Sequence, residues 1–256
     1  MKTICFGTII RQFDAINSTN EFAEKLLLNE KPCEGSVILA GYQKEGHGTG
    51  GNTWYSEAGK NLLASIILYP EFLPPASQFE LNKVISLAVL YCVKGFLPNA
   101  RVTIKWPNDI YVGYRKIAGI LIKNSITGTK TENTIVGIGL NVNQNSFPSS
   151  LTNPISLSQV SGQTFDVLLV LQQLMEFLEI LYQKLKLGEF GFISDQYLQN
   201  LLNMNRKSWY HKDNLAFEGI IKGVSQFGRL IMEVDNELVE YDFKEITFLF
   251  KNFQSQ

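Results

Sequence analysis

Apolar positions along the chain change their period several times, and each change marks an element. Residues 18–28 read as a short helix, opened by a Ser18–Glu21 capping box in which each side chain would satisfy a backbone amide of the first turn. Residues 37–42 and 61–69 are short, nearly continuous apolar runs of the kind found in buried strands, with a glycine-rich loop between them. Leu81, Val84, Ile85, Ala88, Tyr91, Cys92 and Phe96 then recur at helical spacing, and Pro98 ends that helix. Strands are expected at 101–105 and 110–112. Gly113 offers a turn into a third at 117–123, and a fourth covers 134–142. Val167, Leu171, Leu174, Leu178, Leu181 and Leu185 form one helical stripe, which reads as core packing, and a further helix is expected over 190–202. Beyond about residue 205 the pattern shortens to strands at 215–224, 229–234, 238–243 and 246–250, with turns at Gly228 and Asp235-Asn236. This predicts a small SH3-like barrel at 205–256 following a larger domain at 1–204. Trp209, Tyr210 and His211 at its start read as packing or surface residues, not as ligands.

Composition narrows the function. With 256 residues, 45% of them hydrophobic, the chain can bury one large core or a medium and a small one. The 23 basic and 24 acidic residues give a net charge of −1, which argues against nucleic acid as the main partner. No long apolar run and no basic-then-apolar leader is seen, so a cytoplasmic protein without a membrane partner is expected. Cys5, Cys33 and Cys92 are odd in number and far apart, which disfavours a disulfide framework or a zinc site. His47 and His211 are the only histidines, and no G-x-S-x-G elbow occurs, so serine-triad chemistry is poorly supplied. Lysine, backbone amides and a carboxylate remain.

Four motifs offer those groups. Gly46-His47-Gly48-Thr49-Gly50-Gly51 satisfies G-x-G-x-x-G, but polar residues and then a strand follow it where a dinucleotide fold needs a helix. The Rossmann reading is rejected. The glycines still let amides approach a phosphate or carboxylate, unless they form only a flexible surface loop. Lys105-Trp106-Pro107-Asn108-Asp109 gathers a lysine, an amide and a carboxylate around a rigid Trp-Pro unit, where the bland alternative is an Asx-type turn. Lys116 opens the apolar strand Ile117-Ala118-Gly119-Ile120-Leu121. Gly137-Ile138-Gly139-Leu140-Asn141-Val142-Asn143 permits close backbone approach within a strand.

Taken in this order, the motifs resemble the biotin–protein ligase family over roughly residues 15–145, and KWPND followed shortly by K-x-A-G-I-L is highly specific. The resemblance implies an α+β fold: a mixed sheet with helices packed on it, plus the terminal SH3-like barrel. A short form is expected, without the N-terminal winged helix of members that double as repressors, since only about seventeen residues precede Ser18. The resemblance assigns biotin to Ser18, Thr19, Asn20, Gln43, Gly46, His47, Lys116, Gly119 and Leu121. ATP falls to Gly48, Thr49, Trp54, Lys105, Asn108 and Asn141, with Trp54 stacking on adenine. The implied reaction joins biotin and ATP into biotinyl-5'-AMP and then passes biotin to a lysine of a biotin carboxyl carrier domain.

Bringing a carboxylate up to an α-phosphate needs positive charge and preorganised donors. The expected catalytic set is Lys116 on the biotin carboxylate and α-phosphate, Lys105 on the phosphates, and Asp109 either holding Mg²⁺ or orienting the acceptor amine. The sequence departs from the family at His47 and Thr49, where many members carry loop arginines. Weaker retention of the adenylate is therefore expected. The competing readings are a lipoate–protein ligase and a catalytically impaired biotin binder. Monomer and homodimer remain open, as does any strand edge that pairs subunits or docks the carrier.

Overall fold

In the computed structural model, residues 6–128 and 130–250 are described; Cys5 and the N-terminal leader positions lie outside them. The chain opens with an edge strand, β1 (Ile10–Phe13), then helix α1 (Thr19–Asn29), β2 (Val37–Ala40) and β3 (Leu62–Leu68). Helix α2 (Gln78–Phe96) leads into β4 (Val102–Lys105), β5 (Asp109–Val112), and the long hairpin of β6 (Arg115–Thr127) and β7 (Lys130–Leu140). Three helices follow: α3 (Leu157–Ser161), α4 (Val167–Lys186) and α5 (Phe190–Gln199).

The seven strands form one mixed sheet in the order β1-β2-β3-β7-β6-β5-β4, in which only β1 and β2 run parallel. Strand alternation sorts its two faces. Leu62, Ala64, Ile66 and Leu68 of β3, with Val136, Ile138 and Leu140 of β7, join the main core with residues of α2 and α4. Ile67 and Ile135, one position out of phase, pack with Ile38 beneath Ala23 and Leu26 of α1. Both faces of β3 are therefore covered, which explains why all seven of its residues are buried and six are apolar. The one polar residue, Ser65, faces the α1 side.

The last segment forms β8 (Lys207–Lys212), β9 (Leu215–Val224), β10 (Leu230–Val234), β11 (Glu237–Tyr241) and β12 (Thr247–Leu249). They make a five-stranded antiparallel sheet in the order β11-β10-β9-β8-β12, compatible with an SH3-like unit. Its buried Tyr210, Ile221, Leu230, Met232 and Phe248 belong to the same apolar cluster as the first sheet. Two contacts fasten it to the corner between β4 and β5. The Trp106 indole Nε1 donates to Gly228 O at 2.9 Å, and Phe243 packs edge-on against the Trp106 ring at 6.1 Å.

The structure corrects one local expectation. Ser18 does cap α1, with extended φ/ψ, but its side chain makes no capping hydrogen bond, and Glu21 turns away to the glycine loop. A capping box appears instead at α3, between Ser156 and Gln159.

Candidate active site

Three glycines make a bare patch on the α1 face of the sheet. Gly119 of β6 stands directly opposite Gly139 of β7, and Gly137 lies two residues along the same face. A β-carbon on Gly137 would run into the Asn20 side chain, 2.8 Å from Nδ2. One on Gly119 would lie 2.8 Å from Trp54 Cζ3. One on Gly139 would lie 2.6 Å from Trp54 Nε1 and 2.8 Å from Cζ2. The patch is thus a shelf: Asn20 occupies one end, and the Trp54 indole lies on the other.

A narrow cleft opens beside this shelf. One wall is the buried start of α1. Gln43 Oε1 accepts from Thr19 N at 2.8 Å and from Thr19 Oγ1 at 3.0 Å. Ser65 Oγ sits 2.7 Å from Thr19 Oγ1 and 2.5 Å from Asn20 Oδ1, so its single proton serves one of them at a time. Ser18, Thr19 and Asn20 are all under 5% exposed. Such a polar cluster keeps its geometry because every alternative leaves a buried group unpaired.

The glycine loop forms the lid. It folds back on itself through Gly48 N–Asn52 O at 2.6 Å and Trp54 N–Gly46 O at 2.8 Å, and Gly46 leaves room for the Trp54 carbonyl. His47 Nε2 meets Glu21 Oε1 at 2.8 Å and tethers the loop to α1. That hydrogen bond holds the Glu21 carboxyl below its ordinary value. Beyond the loop, Gln144 Oε1 accepts from Glu57 N, and Asn61 Oδ1 accepts from Val142 N.

The charged groups enter from β5 and β6. Ile110 and Tyr111 pair with Ala118 and Lys116, leaving Ile117 as the extra residue of a β-bulge. The bulge re-aims Lys116 onto the shelf side, where its Cε and Nζ would lie 3.3 Å from a β-carbon on Gly119. Lys116 Nζ pairs with Asp109 Oδ1 at 2.7 Å and stands 5.7 Å from the centre of the Trp54 ring. Its backbone is held from both sides by Lys116 N–Asn153 O and Ile155 N–Lys116 O. Lys105 lies behind this pair, its ammonium over the faces of Tyr111 and Phe248 at 5.7 and 5.2 Å. Burial lowers its pKa, Asp109 opposes that shift, and Lys116 adds to it.

Of the residues expected at the site, the cavity gathers Ser18, Thr19, Asn20, Gln43, His47, Gly48, Thr49, Trp54, Asp109, Lys116, Gly119 and Leu121. Asn141 lines a second, more open groove that shares Trp54, Asp109 and Lys116 with the first and continues past Tyr111, Phe147 and Pro154. Gly46, Lys105 and Asn108 line neither. Gly46 shapes the loop, Lys105 is set back behind Asp109, and Asn108 is buried in the turn. Gly137, Ile138, Gly139 and Ile120 line the cavity although only their strands had been singled out. Ser65 was missed altogether, since a lone serine in an apolar run carries no local signal. Two buried polar atoms beside the groove have no hydrogen-bond partner among the described residues: Trp54 Nε1 and Asn141 Oδ1.

Comparison with known proteins places this arrangement. The profile of the Biotin/lipoate A/B protein ligase family matches residues 12–141, about half of the chain and every cavity-lining motif. The chain belongs to this family. The bifunctional ligase/repressor BirA of Bacillus spizizenii is 30% identical over 236 residues, covering 91% of this chain and 72% of its own. The biotin--[acetyl-CoA-carboxylase] ligase of Paracoccus denitrificans is 30% identical over 229 residues, covering 84% of this chain and 90% of its own. Among solved structures, biotin protein ligase from Aquifex aeolicus in complex with biotin and ATP superposes with a TM-score of 0.80 at 22% identity, over 95% of this chain and all of that one. That likeness extends the shared ligase fold through the five-stranded tail, well past residue 141.

Proposed function

We propose that this chain is a biotin–protein ligase. It condenses biotin with ATP to biotinyl-5'-AMP and pyrophosphate, then transfers the biotinyl group to a lysine of the carrier domain of a biotin-dependent carboxylase. The observation that carries this reading is the Lys116–Asp109 pair at the junction of two clefts. One is glycine-floored and lined by Ser18, Thr19, Asn20 and Gln43; the other is lined by Asn141, Phe147 and Pro154. An acid in the first and a nucleotide in the second would meet at Lys116.

In the first step a carboxylate oxygen of biotin attacks the α-phosphorus, and the α–β bridging bond breaks to release pyrophosphate. Two anions approach each other there, so a fixed ammonium at the junction stabilises the charge that builds up. Lys116 fills that role, with its backbone clamped by Asn153 and Ile155 and its side chain braced by Asp109. Lys105, partly desolvated behind them, adds positive potential at the phosphates. The unpaired Trp54 Nε1 and Asn141 Oδ1 are a donor and an acceptor that a base or ribose would satisfy. In the second step the acceptor amine attacks the acyl carbon and AMP leaves, and Asp109 is placed to accept the amine's proton or orient it.

Magnesium would neutralise part of the triphosphate charge. No cluster of three or more His, Cys, Asp or Glu exists among the described residues, so the donor set fits an ion carried in by the nucleotide, with Asp109 as its one protein carboxylate. No helix among the described residues is long and apolar enough to cross a membrane.

ATP–pyrophosphate exchange with biotin, lipoate or no acid tests the proposal before any carrier is added. Exchange with biotin alone supports it, and exchange with lipoate alone overturns the substrate. Absence of exchange from folded, biotin-binding protein overturns the activity. Lys116→Ala should abolish exchange in a folded protein; near-normal exchange would remove Lys116 from its role.

A further inference from the structure

Between Gly46 and Trp54 the lid contains no lysine or arginine, and its one basic residue, His47, is turned onto Glu21. A cation nevertheless stands over the loop, delivered from the far end of the chain. Lys244, in the turn between β11 and β12, brings its Cε and Nζ to 2.8 and 2.9 Å from the position a β-carbon on Gly50 would take. Gly50 is next to Thr49 and two residues from Gly48, both of which line the cavity. Lys244 is exposed and makes no ion pair among the described residues. Its backbone adopts φ 77°, a left-handed conformation that any β-carbon disfavours. Its placement is not accidental to the fold. The preceding residue, Phe243, packs on Trp106, so the KWPND corner that presents Asp109 also fixes this turn.

We propose that Lys244 is the phosphate-binding cation of the glycine loop, acting from the C-terminal sheet on the β- and γ-phosphates of ATP and on the departing pyrophosphate. The inference rests on the adenylation reading above. Lys116 stands at the carboxylate–phosphate junction; charge on the leaving group grows as the α–β bond breaks, and a second cation across the loop meets it there. Main-chain amides of a glycine loop bind phosphate better when a cation shares the load, and an ammonium reaching over Gly50 needs no side chain at that position. The chain thus carries, from another element, the charge that its loop positions 47 and 49 do not provide.

Exchange kinetics at saturating biotin, with ATP and pyrophosphate varied in turn, test this on wild type, Lys244→Met, Lys244→Arg and Lys244→Met combined with Thr49→Arg. Calorimetric titration with biotin alone, and with ATP alone, accompanies each variant. Methionine keeps the length of the stem and removes the charge. The expected result is a KM for ATP and for pyrophosphate raised roughly 10- to 100-fold, the loss of one charge-assisted contact. Biotin affinity is unchanged, arginine stays within a few-fold of wild type, and Thr49→Arg recovers part of the loss. Lys244→Gly should lose ATP affinity similarly while its Tm rises, because the left-handed turn is relieved.

Wild-type kinetics for Lys244→Met, or a matched fall in biotin affinity and Tm, would overturn the proposal and leave Lys244 as packing. If the wild type shows no biotin-dependent exchange but binds ATP in a Lys244-dependent way, the cation role stands and the biotin reading falls. Absence of both overturns both.

Discussion

Replacing Gly139 with alanine puts one methyl group between β7 and the Trp54 indole. The new carbon would sit 2.6 Å from Nε1, 2.8 Å from Cζ2 and closer still to Cε2, where ordinary van der Waals contact begins near 3.4 Å. The ring must therefore retreat by about 1 Å, or the strand must, since β7 is paired on both sides. Overpacking of this kind costs about 1–3 kcal/mol. In a protein of this size that lowers Tm by roughly 2–10 °C. A displacement of about 1 Å at a reacting site can reduce rate by about 100-fold. Gly139→Ala should thus lower both Tm, followed by differential scanning fluorimetry, and kcat/KM for ATP in biotin-dependent exchange. Trp54→Ala in the same chain removes the ring that the methyl strikes, so the two stability losses should be strongly non-additive, with the double mutant close to Trp54→Ala alone. A Gly139→Ala protein with wild-type Tm and exchange kinetics, or strictly additive losses, would refute the shelf.

Lys105→Met should raise the urea midpoint at neutral pH while reducing exchange tenfold or more, because a desolvated ammonium is removed. Burial depresses the folded-state pKa of Lys105, so the unfolded chain binds more protons between that value and the ordinary lysine value. Stability of the wild type should therefore rise with pH through that window, and the rise should vanish in Lys105→Met. Glu21→Gln weakens an exposed pair worth less than about 1 kcal/mol. Tm should barely move while limited proteolysis within residues 46–54 speeds up; an unchanged cleavage rate would show that the tether does not hold the lid. Thr49→Arg should slow release of biotinyl-adenylate and reduce stray lysine labelling in a stopped-flow and mass-spectrometric pair of assays, and equal release rates would remove Thr49 from the account. Gly191→Ala, inside α5 with nothing within 4 Å of the added carbon, should gain about 0.4–1 kcal/mol by chemical denaturation without touching catalysis.

Where one periodicity dominates, the chain announces its structure. The leucine stripe beginning at Val167 became α4, and the run from Leu215 to Val224 became β9 with the expected bounds. Strands whose side chains do little packing were invisible. In β1 the sequence Ile-Arg-Gln-Phe faces largely outward, and in β8 only Tyr210 of six residues is buried, although β8 is an interior strand of its sheet. The β6–β7 hairpin overran its expected ends for the same reason: Asn124, Ser125 and Asn133 are held by backbone pairing beyond the core. At the site, motifs identified which residues meet, because each is a local run. They did not reveal the bulge at Ile117 that turns Lys116, the ring that rests on Gly119 and Gly139, or the burial of Lys105 under Phe248. Those depend on register and on partners up to 143 positions away.

The fastening of Trp106 to Gly228 and Phe243 also bears on when the enzyme can begin to work. During synthesis the first sheet emerges early, with Lys116, Asp109 and the glycine shelf all present by residue 139. Elongation at about 5–20 residues per second leaves several seconds before the turn carrying Phe243 clears the ribosome. Until then the KWPND corner lacks the two contacts that seat it. A nascent chain would thus hold an incomplete site next to exposed lysines of its own, and the reactive anhydride would be made only once the last strands have closed over it.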